Sequence, residues 1–303
     1  MTLVQLRYFL AVAHAGSMSA AAAQVCVAQP ALSQQIGLLE TELGQPLFAR
    51  HARGVTLTEA GRLLREHATA ILHQVDLARD ELSATAGSPI GTVSLGMATA
   101  VSMAFAVELL VEAGHRFPRI RLHLVETMSG FLLEWTETGR LDLAVVYNAP
   151  PSPHMDLEKL DTEDLFLVVA SAVVYDYAPE IPFTELQHIP LILPGAPHRL
   201  RLLVEQHAGA QSIALDVLAE VDSTYAIKKL VAKGFGASIL SRHAISEELA
   251  SGELAALKIG PPGIARSIEL VINRHRRFDP SVAALRGLVI ERLGGKAISA
   301  GFP

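Results

Sequence analysis

The stretch Gly87-Ser88-Pro89-Ile90-Gly91 divides the chain into two parts of different periodicity, and no single fold class serves both. Before it, Ala- and Leu-rich residues recur at helical spacing. After it, β-branched runs alternate with helical stretches as far as Gly294. The break therefore predicts a mainly α domain ahead of an α/β region. With 303 residues there is room for about two domains, and a chain that is 50% apolar and 18% charged is globular rather than disordered. The longest clean apolar runs, such as Leu165 to Tyr175, fall short of the roughly 18 residues a membrane span needs, so no membrane partner is expected. The first residues lack a basic segment leading into a long apolar one, and the expected location is cytoplasmic. A lone cysteine, Cys26, excludes internal disulfides and cysteine-built zinc sites. The net charge of −6 gives no whole-chain basic signature, so any nucleic-acid reading must rest on local pattern.

That local pattern lies between Ser17 and Leu43. Ser17 or Ser19 can cap a short helix to about Val25, with small Ala21 and Ala22 allowing close approach of another helix. Cys26-Val27-Ala28 then breaks the chain, and Pro30 suits the first turn of a second helix. On that helix Leu32, Ile36, Leu39 and Leu43 form one stripe, while Pro30, Ser33, Gln34 and Gly37 face away. Glutamine can pair with an adenine edge and serine with bases or phosphate, so this polar face suits a major groove. Next, Arg50 to Thr58, with Gly54 and alternating Val55 and Leu57, reads as a small β wing whose Arg50, Arg53 and Thr56 can reach phosphates. The residues assigned to DNA are Ser17, Ser19, Gln29, Pro30, Ala31, Ser33, Gln34, Arg50, Arg53 and Thr56, in a winged helix-turn-helix domain spanning 1–58.

These residues resemble the LysR-type transcriptional regulators. The match runs through Leu6-Arg7-Tyr8-Phe9, Ala21-Ala22, Gln29-Pro30-Ala31-Leu32-Ser33, Leu39-Glu40, Leu47-Phe48 and Thr56-Leu57-Thr58-Glu59-Ala60-Gly61. Ala28 to Gln35 and Asp164 to Val168 are similar to the nitrogen-assimilation-control branch. The resemblance implies a sequence-specific regulator of transcription acting on double-stranded DNA, a two-lobed periplasmic-binding-protein-like effector domain, and a homodimer or homotetramer. It also implies RNA polymerase as a partner if the protein activates. Two departures stand out: Ala28 and Gln34 replace the serine and the basic residue of many relatives. Six arginines against seven carboxylates also leave residues 1–88 at −1, so non-specific DNA affinity should be low.

Thr58 precedes a helix pattern from Arg62 to about Ala86, some 38 Å at about 1.5 Å per residue. Its stripe of Ala60, Leu64, His67, Ile71, Val75, Ala78 and Leu82 predicts a seam with a second copy, so 59–87 is read as a dimerisation linker. The α/β region, 90–303, has strands expected at 92–97, 120–126, 142–146, 165–170, 190–193, 213–221, 237–240 and 267–273. Helices are expected at 103–115, 130–138, 199–208, 224–232 and 280–293. Hydroxyls at strand-to-helix turns favour anions, and the resemblance puts these turns in a cleft that takes a small, anionic effector. The lining candidates are Thr99, Ala100, Ser102, Thr127, Ser129, Tyr147, Asn148, His198, Ser223 and Thr224. No Arg or Lys adjoins Thr99, Ser102 or Ser129 in sequence, which leaves a vestigial cleft as the competing expectation.

Gly234-Phe235-Gly236 reads as a helix-ending turn rather than a nucleotide loop. The twelve histidines show no metal-ligand spacing, so no metal or cofactor is expected, and His243 and His275 read as surface residues. No nucleophile, base and orienting acid come together, so catalysis is not expected. A solute carrier with a helical association domain is the alternative function, and the polar face of the second helix discriminates against it.

Overall fold

The computed structural model describes residues 1–51, 54–83 and 89–294. Among these residues no helix is long and apolar enough to cross a membrane. The chain splits into two units at the Gly87 break.

The first unit starts with α1 (Leu3–Ala15), closed by a capping box in which Thr2 and Gln5 satisfy each other's backbone N–H. Ser17, not Ser19, caps α2 (Met18–Gln24) by accepting from the Ala20 N–H. Cys26, at φ 54°, makes the break before α3 (Gln29–Leu43), which starts on Ala28 without a side-chain cap and carries Pro30 in its first turn. Leu32, Ile36 and Leu39 of α3 bury against Leu6, Phe9 and Val12 of α1 and Ala21 and Ala22 of α2. Leu43, expected in the same stripe, is 39% exposed: it is the last helical residue, where the chain turns off at Gly44 (φ 65°). Strands β1 (Phe48–His51) and β2 (Gly54–Leu57) pair antiparallel as the wing.

Helix α4 (Glu59–Ser83) begins three residues earlier than read, capped by the Thr58 hydroxyl, which accepts from the Gly61 N–H at 3.0 Å. Its apolar stripe is not free for a second copy along its whole length. Ala68 is fully buried, and Ala60, Leu64, Ile71 and Leu72 pack half-buried on the helix-turn-helix core. His67 is exposed, as is Leu63 beside it. The side chains of Ala78 and Leu82 lie outside the described residues.

The second unit follows in the order β3 (Gly91–Ala98), α5 (Thr99–Arg116), β4 (Ile120–Thr127), α6 (Ser129–Glu137), β5 (Leu143–Tyr147) and β6 (Met155–Ala170). Then come β7 (Glu180–Ile181), β8 (Leu191–Leu193), α7 (Arg199–Ala210), β9 (Val217–Glu220), α8 (Thr224–Ala232) and β10 (Ser238–Ser241). The last elements are α9 (Ser246–Ser251), β11 (Leu254–Ile259), β12 (Ala265–Asn273) and α10 (Pro280–Leu293). Two cores result. One gathers β3, β5, β12, α5, α6 and α10; the other gathers the end of β6 with β8, β10, β11, α7 and α8.

Strand β6 belongs to both lobes. Met155 to Asp164 pair with β12, whereas Leu165 to Ala170 pair with β10 and β11, and the chain returns to the first lobe between Ile264 and Ala265. In the first lobe β3 lies between parallel β4 and β5, and β12 closes antiparallel on β5. The strand read at 165–170 is thus the second half of a 16-residue element. Its first half is polar on one face, as Asp156, Glu158 and Asp161 show, and lacks the apolar run that marked the rest. The strand expected over 213–221 shortens to Val217–Glu220. Helix α5 starts at Thr99, not Met103, so Thr99 and Ala100 occupy its first turn. Gly234, at φ 72°, ends the stretch after α8 as a turn.

Candidate functional site

On the first unit, Gln29, Pro30, Ala31 and Gln34 are exposed on α3 and Ser33 is half-buried, so the face opposite Leu32 and Ile36 is open. Ser17 is half-buried at its capping position; Ser19 and Thr56 are exposed. Arg50 lies on β1 opposite Val55, and Arg53 lies outside the described residues. The wing is fixed to α3 by a residue the spacing argument did not use: the Glu40 carboxylate accepts from the Leu47 N–H at 2.7 Å and the Phe48 N–H at 3.2 Å. It is fixed to the α1–α2 turn by the Val55 N–H donating to the Gly16 carbonyl at 3.0 Å. Gly54, at φ 133°, permits this approach, because a Cβ there would lie 2.4 Å from the Gly16 oxygen. These bonds hold the hairpin against the C-terminal part of α3 and the α1–α2 turn, leaving the polar face of α3 open.

In the second unit a cavity of about 300 Å³, within the range of small-ligand pockets, opens between the lobes. Of the lining candidates, Thr99, Ala100, Ser129, Tyr147, Asn148, His198 and Thr224 border this cavity. Ser102 is not among the lining residues: it is buried one turn inside α5. Thr127 ends β4 two residues before α6, and Ser223 is engaged as the cap of α8, accepting from the Ala226 N–H; neither lines the cavity.

Four helices present their first turns here: α5 through Thr99 and Ala100, α6 through Ser129, α7 through Arg199 and α8 through Thr224. Their dipoles favour an anion, and α5 has no side-chain cap on its first N–H groups. The Ser129 oxygen accepts from the Tyr147 N–H at 3.2 Å. Asn148, left-handed at φ 48°, accepts through Oδ1 from the Ser267 N–H and hydroxyl, and its carbonyl accepts from Arg199 Nη1 at 2.9 Å. His198 caps α7, its Nδ1 accepting from the Leu200 N–H, which leaves the proton of a neutral ring on Nε2. Burial pushes its pKa down, and the Arg266 charge adds to that, so His198 is a neutral donor near pH 7.

The cations that do not adjoin these hydroxyls in sequence are brought to the cavity by the fold. Arg199 and Arg266 both line the cavity. Arg266 comes from β12, far along the chain, and sequence spacing gave no signal for it. It lies 3.4 Å above the Tyr147 ring centroid and pairs with Glu163 of β6 at 2.5 Å. Burial alone would raise the Glu163 carboxyl, yet Arg266 and the facing His243 hold it below the ordinary carboxylate range. His243 is correspondingly not the surface residue it resembled: its Nδ1 is 3.5 Å from Glu163 and its ring packs on Phe105 of α5. Tyr147, fully enclosed, has its phenol pushed far up by burial and remains protonated. Glu163 and Arg266 sit where both connecting strands cross between the lobes, so this network ties the cavity to the crossing point.

The comparisons agree with both halves. The family described as "LysR substrate binding domain" matches residues 86–294, and "Bacterial regulatory helix-turn-helix protein, lysR family" matches residues 3–62. The nitrogen assimilation regulatory protein nac of Escherichia coli (strain K12) is 31% identical over 288 residues, covering 94% of this chain and 93% of that protein. The HTH-type transcriptional regulator BbuR of Bordetella bronchiseptica is 30% identical over 299 residues, 98% of this chain and 92% of that one. Among solved structures, full-length CbnR complexed with its target DNA shares the fold, with a TM-score of 0.73 at 23% identity over 97% of this chain and 100% of that one.

Proposed function

The chain belongs to the LysR family of transcriptional regulators, and from that premise we propose how its own residues divide the work. The family assignment makes it a DNA-binding regulator, not an enzyme, with an effector-binding domain after its helix-turn-helix. Gln29, Pro30, Ala31, Ser33 and Gln34 read the major groove; Ser17, Ser19, Arg50, Arg53 and Thr56 hold the backbone. The domains run 1–58, 59–87 and 90–303, and the exposed side of α4 around Leu63 joins copies into a dimer that doubles the contacts of a weakly charged reading head. A small anionic effector binds between the lobes and shifts the balance of lobe arrangements, and where the protein activates, RNA polymerase is the partner that reads the result.

The observation that carries the effector half is the convergence of helix N-termini and two arginines on one cavity. Crosslinking and sequencing of the sites the protein occupies in its own genome tests the DNA half. The expected result is an enriched two-fold motif upstream of promoters, weakened by Gln34→Ala. Occupancy with no enriched motif would overturn it.

A further inference from the structure

The cavity's polar inventory narrows the effector class, on the premise that the cavity is the effector site. The charged group left free in the cavity is a cation, and most of the directed polar groups are donors, while the Thr99 and Thr224 hydroxyls can give or accept. Arg199 has its Nε wholly buried without a hydrogen-bond partner and forms no ion pair among the described residues. His198 keeps a proton on Nε2. The Ser129 oxygen accepts from Tyr147 N, which leaves its hydroxyl proton to give away, and the α5 N-terminus has no side-chain cap. Asn148 Oδ1 is spent on Ser267, and Glu163, behind the wall, on Arg266. Glu134, at the exposed rim, is already engaged.

Charge is equally limited. Glu163 neutralises Arg266, so Arg199 is the one uncompensated cation among the described lining residues. The remaining wall is mostly apolar, with Met128, Phe131, Pro194, Leu203, Ile227 and Leu240 supplying much of it.

We infer that the effector is a monocarboxylate with an apolar body, its carboxylate between Arg199 and the N-termini of α5 and α6 and its body against Phe131, Leu203 and Ile227. Inside the rim an ammonium would be desolvated with no free carboxylate beside it, and a second carboxylate with no second free cation.

Calorimetric titration of the full chain tests this with four probes: phenylacetate, hexanoate, the uncharged phenylacetamide, and glutarate. Saturable binding of phenylacetate or hexanoate is expected, with phenylacetamide and glutarate weaker by at least about tenfold. Arg199→Gln should weaken the monocarboxylates by about tenfold to a hundredfold, and Arg199→Lys should restore part of the loss. Unchanged thermal unfolding of both variants keeps a folding defect from imitating the result. Tighter binding of glutarate, or equal binding of amide and acid, would overturn the monocarboxylate assignment. If that binding is lost on Leu203→Glu, the cavity still stands as the effector site and only the ligand class falls. Binding indifferent to both Arg199→Gln and Leu203→Glu, or no saturable heat with any probe, would overturn this inference. Whether the cavity is an effector site is then read separately, from whether Leu203→Glu alters the response of DNA occupancy to cell extract metabolites.

Discussion

At the scale of single residues, the largest stability effects are expected where a charge or a backbone approach is sealed from water. Arg276 is 2% exposed, 2.9 Å from Asp142 and 3.3 Å from Asp279, which in turn caps α10. Arg276→Met strands the buried Asp142, and urea unfolding of the effector domain should show a loss of about 3 to 5 kcal/mol. Gly61 is as constrained by space: a Cβ there would lie 2.1 Å from the Leu47 carbonyl oxygen, so Gly61→Ala must push α4 off the wing. For Gln34, proposed above as a base reader, the expected readout is specificity instead. Its replacement by Ala should cost about 1 to 3 kcal/mol of discrimination at one base pair per half-site, measured by selection from random sequence, while leaving non-specific affinity alone. His198 gives a pH signature. Its folded pKa lies below the ordinary 6.5, so the unfolded chain takes up the proton first, and stability falls as pH drops from 6.5 towards the lower folded value. His198→Asn, which can still cap α7, should remove that slope in thermal unfolding scans. The separate loss from Glu163 comes only as pH falls below the ordinary carboxylate value of 4.5.

Elements show what a linear sequence reveals and what it hides. The starts of α2 and α3 were legible because they are local: Ser17 and Pro30 act on their own turn, whereas Ser223, read as a cavity residue, caps α8 instead. Of the hydroxyls expected in the cleft, Thr99, Ser129 and Thr224 line the cavity and Ser102, Thr127 and Ser223 do not, because closeness to a helix start does not say which way a side chain faces. Arg266 and Glu163 were not legible, because they meet only through β12 and β6 pairing over a separation of 103 residues. The α4 stripe was half legible: its spacing marks an apolar face but cannot say whether that face meets its own domain or another copy. The structure spends Leu64 and Ile71 on the helix-turn-helix core and leaves Leu63 59% exposed. Leu63→Glu should therefore yield monomers in sedimentation with the helical content intact, and weaken a two-fold site by about 10²- to 10⁴-fold. A dimer that survives this change would move the seam off the exposed side of α4.

For the molecule as a whole, regulation must pass from the effector domain to the DNA-reading domain as a coupling free energy. A ligand that favours one arrangement of lobes tenfold supplies about 1.4 kcal/mol, and no more than its differential affinity. The two lobes are joined through β6 and the return into β12, and the cavity network sits on that crossing, so a ligand in the cavity contacts both sides of it. Linkage makes the claim reciprocal: if the carboxylate changes affinity for DNA, the DNA changes affinity for the carboxylate by the same factor. The measurement is therefore a paired titration on the full chain, with its mapped DNA site titrated with and without saturating phenylacetate, and phenylacetate titrated with and without DNA. The account predicts equal factors in the two directions, both abolished by Arg199→Gln. DNA affinity and footprint unchanged while the cavity is saturated would contradict it.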